Sequence, residues 1–148
     1  YSGTLTIGGV QISEITEPHH FITGTLQQGH IFNTTLRENL KIADSGATDE
    51  KLQHLIDQLE LSDISLDEVL GEFGRVLSGG EAKRLAVARA LLSPAPIIIL
   101  DEPLEHLDHE RSLRIQDAIV RLSRGRTLIV ITHAPWLQYS RKLELTRE

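Results

Sequence analysis

The sequence predicts an α/β fold with a parallel sheet. Two short unbroken apolar runs, at residues 96–100 and 127–131, are typical of strands that are buried on both faces of a parallel sheet. A helical stripe lies between them. Its members are Ile115, Ala118, Ile119 and Leu122. Strand, crossover helix and second strand together indicate a βαβ unit.

The other elements precede this unit. Residues 3–10 alternate apolar and polar side chains before a glycine pair, which predicts a strand, a hairpin turn and a small antiparallel sheet. A second strand is predicted at residues 21–26, and a threonine caps a short helix within 34–40. An amphipathic helix is predicted from Asp49 onward, in a section that we expect to be helical to about Leu92. The stripe of that helix consists of Leu52, Leu55, Ile56 and Leu59.

Composition narrows the classes of function. The 148 residues are 40% hydrophobic and 24% charged, as expected for one soluble domain or a large piece of one. A formal charge of −6 leaves no broad basic surface, so no nucleic acid is expected as a partner. The chain contains no apolar run near the ~20 residues of a membrane helix. Cysteine is absent, and because the chain begins with Tyr1 rather than methionine, we expect it to be an excerpt of a longer protein.

Two adjacent carboxylates follow the first buried run. Asp101 and Glu102 stand where that strand ends, and ligands of open α/β sheets bind outside the carboxyl ends of strands. One acid can then face a metal and the other a water. We predict that Asp101 helps to hold Mg²⁺ on nucleotide phosphates and that Glu102 orients or deprotonates the attacking water. A surface turn that happens to be acidic is the alternative for this pair alone.

A second candidate site precedes a long helix. Ser78 is predicted to cap a helix that begins with Gly79, Gly80 and Glu81. Two glycines at a helix N-terminus let backbone N–H groups approach an anion, and the helix dipole favours negative charge there. The pattern indicates a phosphate cradle, although Ser-Gly-Gly before a helix is often only a cap.

Together these motifs resemble the ATP-binding domain of ABC transporters, of the exporter type. The LSGGE at residues 77–81 is similar to the ABC signature, and residues 97–103 are similar to the Walker B strand with its catalytic glutamate. The family's next loop ends in an aspartate that Asp108 matches, and its switch histidine is matched by His133. The resemblance implies that His133 hydrogen-bonds the γ-phosphate and that Asp108 belongs to the nucleotide site.

The glutamine loop of the family has two candidates in this chain. Residues 26–32 resemble that loop, whose glutamine contacts Mg²⁺ and the attacking water. Gln27 fits best by its distance to Phe32, and Gln28 stays open. The resemblance gives Gln27 both a catalytic and a metal-binding role.

The resemblance also implies an architecture. We expect a P-loop NTPase (RecA-like) core, the helical subdomain of the family and a small antiparallel β piece, truncated at the N-terminus. Residues 1–40 correspond to the end of the β subdomain and the glutamine loop, residues 41–92 to the helical subdomain and signature, and residues 93–148 to the core.

Function, ligands and partners follow from the same resemblance. The ligands are ATP and Mg²⁺, and the role is an ATPase that powers transport at the cytoplasmic face of the membrane. The partners are a transmembrane domain and a second nucleotide-binding domain in a head-to-tail dimer. Within transporters, residues 102–108 resemble the heterodimeric thiol exporters of cytochrome bd assembly.

One motif of the family is missing from the printed sequence. No glycine is followed by lysine, so no G-x-x-x-x-G-K-[ST] loop is present to seat the phosphates. We therefore expect the isolated chain to be inactive. Two other functions stay open, namely a soluble ABC ATPase acting on ribosomes or DNA and an ABC module that has lost catalysis.

Overall fold

The computed structural model describes residues 3–25, 29–136 and 138–143. Its strands are β1 (Thr6–Ile7), β2 (Val10–Gln11), β3 (Ile22–Gly24), β4 (Ile97–Asp101) and β5 (Thr127–Ile131). Its α-helices are α1 (Leu36–Lys41), α2 (Asp49–Gln58), α3 (Gly79–Leu92) and α4 (His109–Leu122). Two single 3₁₀ turns, Ile12–Glu14 and Pro18–His20, lie between β2 and β3. Within these residues no helix is long and apolar enough to cross a membrane.

The predicted parallel sheet is present. Its strand order is β3-β4-β5, and both pairs are parallel. Helix α4 connects β4 to β5, which confirms the predicted crossover. Since all three strands run the same way, their carboxyl ends meet at one edge, where Thr25, Glu102 and Thr132 follow.

The prediction that both core strands are buried on both faces is wrong for β5. Ile129 is 45% exposed and Ile131 is 52% exposed. In the register of the sheet these two side chains share a face with Ile99 and Asp101, whereas Leu128 and Val130 share the opposite face with the fully buried Ile98 and Leu100. Only that opposite face packs against the main core, and β5 stands last in the strand order among the described residues.

The predicted hairpin is also present, in a shorter form. Strands β1 and β2 pair antiparallel, with Ile7 opposite Val10. Gly8 and Gly9 form the turn with φ of 57° and 86°. Positive φ at both central positions is the geometry that glycine adopts without steric cost.

The middle section is helical only in part. Helix α2 begins after its cap Thr48 and buries Leu52, Leu55 and Ile56, as predicted. Contrary to the expectation of helix to Leu92, residues 59–78 contain no helix. Glu60 and Gly71 have positive φ, of 53° and 88°, which a right-handed α-helix does not allow at those positions. The apolar residues of this segment are nevertheless buried in the same core. They are Leu59, Leu61, Ile64, Leu66 and Leu70.

Helix α3 is the central helix of the core. It contacts α1, α2, β3 and β4. Its second half is buried almost all round, so its apolar residues form no single stripe. Because α3 packs against β4 and only four residues connect them, β4 runs back along the helix. The start of α3 and the end of β4 therefore lie toward the same side of the fold.

Candidate functional site

We call Asp101, Glu102, Thr132 and His133 the strand-end site. Glu102 follows β4 with φ of 45°, a left-handed conformation that is uncommon for a residue with a side chain. Its N–H donates to the carbonyl oxygen of Ile131 at 2.8 Å, which fixes the turn to the end of β5. Backbone strain of this kind concentrates at functional sites.

The Glu102 carboxylate is held by the residues that follow β5. Oε2 accepts a hydrogen bond from Thr132 Oγ1 at 3.0 Å. Oε1 accepts the backbone N–H of His133 at 2.9 Å and lies 2.7 Å from His133 Nδ1. The structure thus brings together two residues that the sequence predicts to be functional, Glu102 and His133.

These contacts keep Glu102 ionised. Burial acts to raise the pKa of the Glu102 carboxyl, but the hydrogen bonds from His133 and Thr132 together outweigh burial, and the pKa lies below its ordinary value. The side chain of Glu102 is 22% exposed, whereas that of His133 is 81% exposed. An ionised carboxylate at a solvent-accessible edge can accept a proton from a water.

Asp101 is held differently. Its backbone N–H donates to Thr25 Oγ1 at 2.9 Å, and Thr25 is itself buried beyond the end of β3. The Asp101 carboxylate makes no hydrogen bond or ion pair with any described residue. The described part of the chain has no group of three or more His, Cys, Asp or Glu side chains that could hold a metal. A single free carboxylate suits Mg²⁺, which is commonly held by one or two carboxylates together with substrate phosphates.

The predicted glutamine lies outside the described residues. Gln27 and its alternative Gln28 fall in residues 26–28, so their roles stay predictions. The segment that follows is anchored by the buried Asn39 and the partly buried Arg89, a polar pair that the sequence reading missed. Asn39 accepts the N–H of Phe32 at 3.0 Å and donates to the carbonyl oxygen of Phe32 at 2.9 Å, and Arg89 donates to the carbonyl oxygen of His30. Arg89 also bonds Asn39.

A signal for this pair was present in the sequence. Arg89 is the one charged residue among the apolar residues 85–92 of α3. A partly buried charge in such a run needs partners, and here those partners are the polar groups of Asn39 and the carbonyl of residue 30.

We call Ser78, Gly79, Gly80 and Glu81 the helix-start site. Ser78 caps α3 as predicted, since its Oγ accepts the N–H of Glu81 at 3.3 Å. Glu81 completes a capping box, because its Oε2 accepts the N–H of Ser78 at 2.7 Å. Its Oε1 pairs with Arg75 at 2.5 Å. The first N–H groups of a helix have no partner within the helix, so those of Gly79 and Gly80 are available to an anion.

The helix-start site faces a cavity of about 450 Å³. Ser78 and Gly80 line it together with His106 and Leu107. The other lining residues are all charged, namely Glu60, Asp63, Glu81, Arg84 and Arg111. The structure thus brings the predicted signature close to the loop that follows the acid pair. Among the described residues no hydrogen bond or ion pair joins the helix-start site to Asp101 or Glu102.

Asp108 ends this loop and begins α4. Its Oδ1 accepts the N–H of Arg111 at 2.9 Å, so Asp108 is the N-cap of the helix. This backbone hydrogen bond is the main cause that holds the pKa of Asp108 below its ordinary value. The geometry shows a cap, and the predicted contact with nucleotide stays a prediction.

Comparison with known proteins gives a consistent match. A family model described as ABC transporter matches residues 1–105. The glutathione/L-cysteine transport system ATP-binding/permease protein CydC of Escherichia coli (strain K12) is 43% identical over 111 residues, covering 72% of this chain and 19% of that protein. The β-(1→2)glucan export ATP-binding/permease protein NdvA of Bartonella bacilliformis is 38% identical over 139 residues, covering 88% of this chain and 23% of that protein.

A solved structure agrees with these relatives. The chain superposes on a bacterial Atm1-family ABC exporter with ATP bound, with a TM-score of 0.78 and 27% identity. The match covers 90% of this chain and 25% of that chain. This chain therefore spans about a fifth to a quarter of the length of the proteins it matches.

Proposed function

This chain belongs to the ABC transporter family, and we propose that it supplies most of an ATP-hydrolysing domain that drives transport across a membrane. The observation that carries the proposal is the strand-end site, where an ionised Glu102 is held at the carboxyl edge of a parallel sheet beside His133. A surface turn that is acidic by chance has no need of a left-handed backbone and three hydrogen-bond contacts.

The residues of the strand-end site divide the chemistry of hydrolysis. Glu102 orients a water and accepts its proton as the water oxygen attacks the γ-phosphorus. The exposed ring of His133 hydrogen-bonds the γ-phosphate. The free carboxylate of Asp101 holds Mg²⁺, which when bound supplies positive charge to the phosphate oxygens. Gln27 is the further residue that we assign to the water and the metal.

The helix-start site binds the γ-phosphate of a nucleotide that a second domain holds. The N–H groups of Gly79 and Gly80 and the hydroxyl of Ser78 are donors for this contact, and the dipole of α3 adds to it. Glu81 serves the contact indirectly, because both its oxygens are used to hold the cap. Asp108, which follows the cavity-lining Leu107 in the chain, is assigned to the same interface. Such an arrangement requires two domains paired head to tail.

The partner of the domain is a transmembrane domain at the cytoplasmic face of the membrane. Both relatives named above are ATP-binding/permease proteins, in which the two functions share one chain. The identity of 43% to a glutathione/L-cysteine transporter supports a small thiol as the cargo. Uptake of labelled glutathione into inverted vesicles, compared with uptake of a labelled glucan, tests this choice.

The subdivision into residues 1–40, 41–92 and 93–148 is part of the same proposal. One buried cluster joins the second and third pieces, since Leu52 and Ile98 both belong to it. We further propose that the printed chain alone does not hydrolyse ATP, because no G-x-x-x-x-G-K-[ST] loop is present in it.

Glu102→Gln in the full-length protein tests the catalytic assignment. The variant keeps the shape of the side chain but cannot accept a proton, so we expect turnover to fall by a factor of about 10² to 10⁴ while ATP binding is retained. The protein is then trapped as an ATP-bound dimer, which size-exclusion chromatography with labelled ATP detects. Glu110→Gln, on an 89% exposed side chain of α4, is the matched control and keeps normal turnover. Near-normal turnover of Glu102→Gln would move the catalytic role to another residue.

A further inference from the structure

We propose that Thr132 is a positioning residue that orients the Glu102 carboxylate and leaves one acceptor position on Oε2 for the attacking water. The inference rests on the proposed function, in which Glu102 accepts the proton of that water. The sequence singles out neither the threonine hydroxyl nor one of the two carboxylate oxygens, and both follow from the hydrogen-bond geometry after β5.

The direction of the Thr132 hydroxyl is fixed by its two neighbours. Oγ1 accepts the backbone N–H of Ala134 at 3.0 Å, which occupies one of its lone pairs. Oγ1 also lies 3.0 Å from Glu102 Oε2, an oxygen that can only accept while the carboxylate is ionised. The hydroxyl proton of Thr132 therefore points at Oε2. A hydrogen bond to a charged acceptor is stronger than one between neutral groups.

The acceptor positions of Glu102 can then be counted. An ionised carboxylate has about four lone-pair positions, two on each oxygen. Oε1 uses both of its positions, since it accepts the N–H of His133 and faces Nδ1 of the same residue at 2.7 Å. Oε2 uses one position, for Thr132. The remaining position is on Oε2, so that oxygen receives the proton of the water.

The position of the proton on the His133 ring agrees with this count of the acceptor positions of Glu102. A carboxylate oxygen 2.7 Å from Nδ1 favours the tautomer in which Nδ1 carries the proton. Nε2 then lies on the outer side of a ring that is 81% exposed, where it is free to meet a phosphate. His133 and Thr132 thus fill three positions of the carboxylate from one short segment and leave the fourth open.

The step balances with these groups alone. The water oxygen forms a bond to the γ-phosphorus, the bond from that phosphorus to the bridging oxygen breaks, and ADP leaves with the bridging oxygen. The water proton passes to Oε2 of Glu102 and later returns to solvent. Thr132 does not exchange its proton in this step, because its role is to hold the carboxylate in the orientation that receives the water.

Thr132→Val and Thr132→Ser in the full-length protein test the inference. Valine has nearly the same shape as threonine but lacks the hydroxyl, whereas serine keeps it. We expect kcat of the valine variant to fall about tenfold or more, as for loss of a hydrogen bond to a charged group, with KM for ATP unchanged. Serine restores kcat. Thr127→Val, at the exposed opposite end of β5, is the matched control and keeps wild-type kcat.

The split between kcat and KM separates positioning from a merely structural role. Thr132 donates to the Glu102 carboxylate, so its loss lowers kcat while KM for ATP and the melting temperature stay at their wild-type values, and serine restores kcat. A fall in kcat that serine does not restore, or one matched by an equal rise in KM, would overturn the inference, as would wild-type kcat in the valine variant.

A double variant distinguishes this inference from the proposed function. If Thr132 acts through Glu102, Thr132→Val causes no further loss in the Glu102→Gln background. An additional loss there overturns the inference while the assignment of Glu102 stands. If the Glu102→Gln variant itself retains turnover, the proposed function is wrong instead. Thr132→Ala replaces the valine variant if thermal melting shows that valine does not fold.

Discussion

The strand-end site and the helix-start site each contain a glutamate with a lowered pKa, yet the two carboxylates differ in where they lie and in what holds them. Burial acts to raise the pKa of Glu81, and the hydrogen bonds with Ser78 and Arg75 outweigh it. Oε2 of Glu81 accepts the backbone N–H of Ser78, and Oε1 accepts from the guanidinium of Arg75. Glu102 instead lies at the carboxyl edge of the parallel sheet, where Thr132 and His133 hold it after β5. A lowered pKa therefore does not identify the reactive acid, whereas a position at the carboxyl edge of the sheet does.

The two sites are also chemically complementary. The strand-end site offers carboxylates that accept protons and hold cations, and the helix-start site offers N–H donors and a favourable dipole for anions. Hydrolysis of a phosphate ester needs both kinds of group around the same phosphate. No hydrogen bond or ion pair among the described residues joins the two sites, and the proposed head-to-tail pairing predicts that they meet across a dimer interface.

Mixed dimers give the largest expected effect. Ser78→Arg removes the cap hydroxyl and places a long side chain where a phosphate would approach. With Ser78→Arg and Glu102→Gln in the same chain, one nucleotide site lacks Ser78 and the other lacks Glu102. We then expect turnover to fall by about 100-fold or more. With the two changes in opposite chains, they fall on one shared site and the other keeps its turnover. ATPase assays of differently tagged, co-purified dimers measure the difference.

The controls for this experiment come from the same chain. Ser62→Arg adds the same bulk at an exposed serine outside the helix-start site and leaves turnover unchanged in either arrangement. Equal activity of the two arrangements would show that Ser78 does not act on the nucleotide of the other chain, and the head-to-tail proposal would have to be abandoned.

A smaller effect is expected from Glu81, on stability rather than chemistry. Glu81→Ala removes the reciprocal half of the capping box and one acidic partner of Arg75, so we expect the free energy of unfolding to fall by about 1–3 kcal/mol. The depressed pKa of Glu81 means that its contribution is present at neutral pH and is lost as pH falls through the folded pKa. The difference from wild type in urea unfolding should therefore narrow in acid, below about pH 4.

The comparison for Glu81 is Glu110→Ala, which should unfold like wild type at every pH. The 89% exposed Glu110 side chain forms a weak ion pair with Arg114, at 3.9 Å. A difference between Glu81→Ala and wild type that persists unchanged in acid would mean that the ionised carboxylate is not what stabilises the start of α3.

Most of the fold could be predicted because its periodicities are local. The stripes of α2 and α4, the two apolar runs and the glycine pair each specify one element, and the structure confirms all of them. Residues 59–78 could not be predicted in the same way. The positions of their buried leucines are determined by contacts with residues distant in sequence and show no helical period. Gly71, for example, packs against Asn33, thirty-eight positions earlier in the chain.

The site could be predicted in part for a related reason. Motifs along the chain indicate Ser78, Asp101, Glu102 and His133, and the structure places Glu102 against His133. Thr132 does not stand out in the sequence, since its meaning depends on Glu102 turning toward β5 through a left-handed backbone. Such a turn has no signature when the residue is not glycine.

The smallest expected effect is the binding of ATP by the printed chain alone. It tests the contrast between the N–H donors of the helix-start site and the carboxylates of the strand-end site. The strand-end site repels phosphates through the Asp101 and Glu102 carboxylates unless a cation and a phosphate loop offset them, and the chain contains no Gly-Lys pair for such a loop. The helix-start site offers donors but no seat for the base or the ribose. We therefore expect calorimetric titration with Mg-ATP to give a Kd weaker than about 1 mM, with no hydrolysis. Gly79→Asp, which adds negative charge at the start of α3, should remove any residual heat if the donors there are responsible. Micromolar affinity would require a phosphate-binding site elsewhere in the chain. It would contradict the proposal that the two sites bind the phosphates together across an interface.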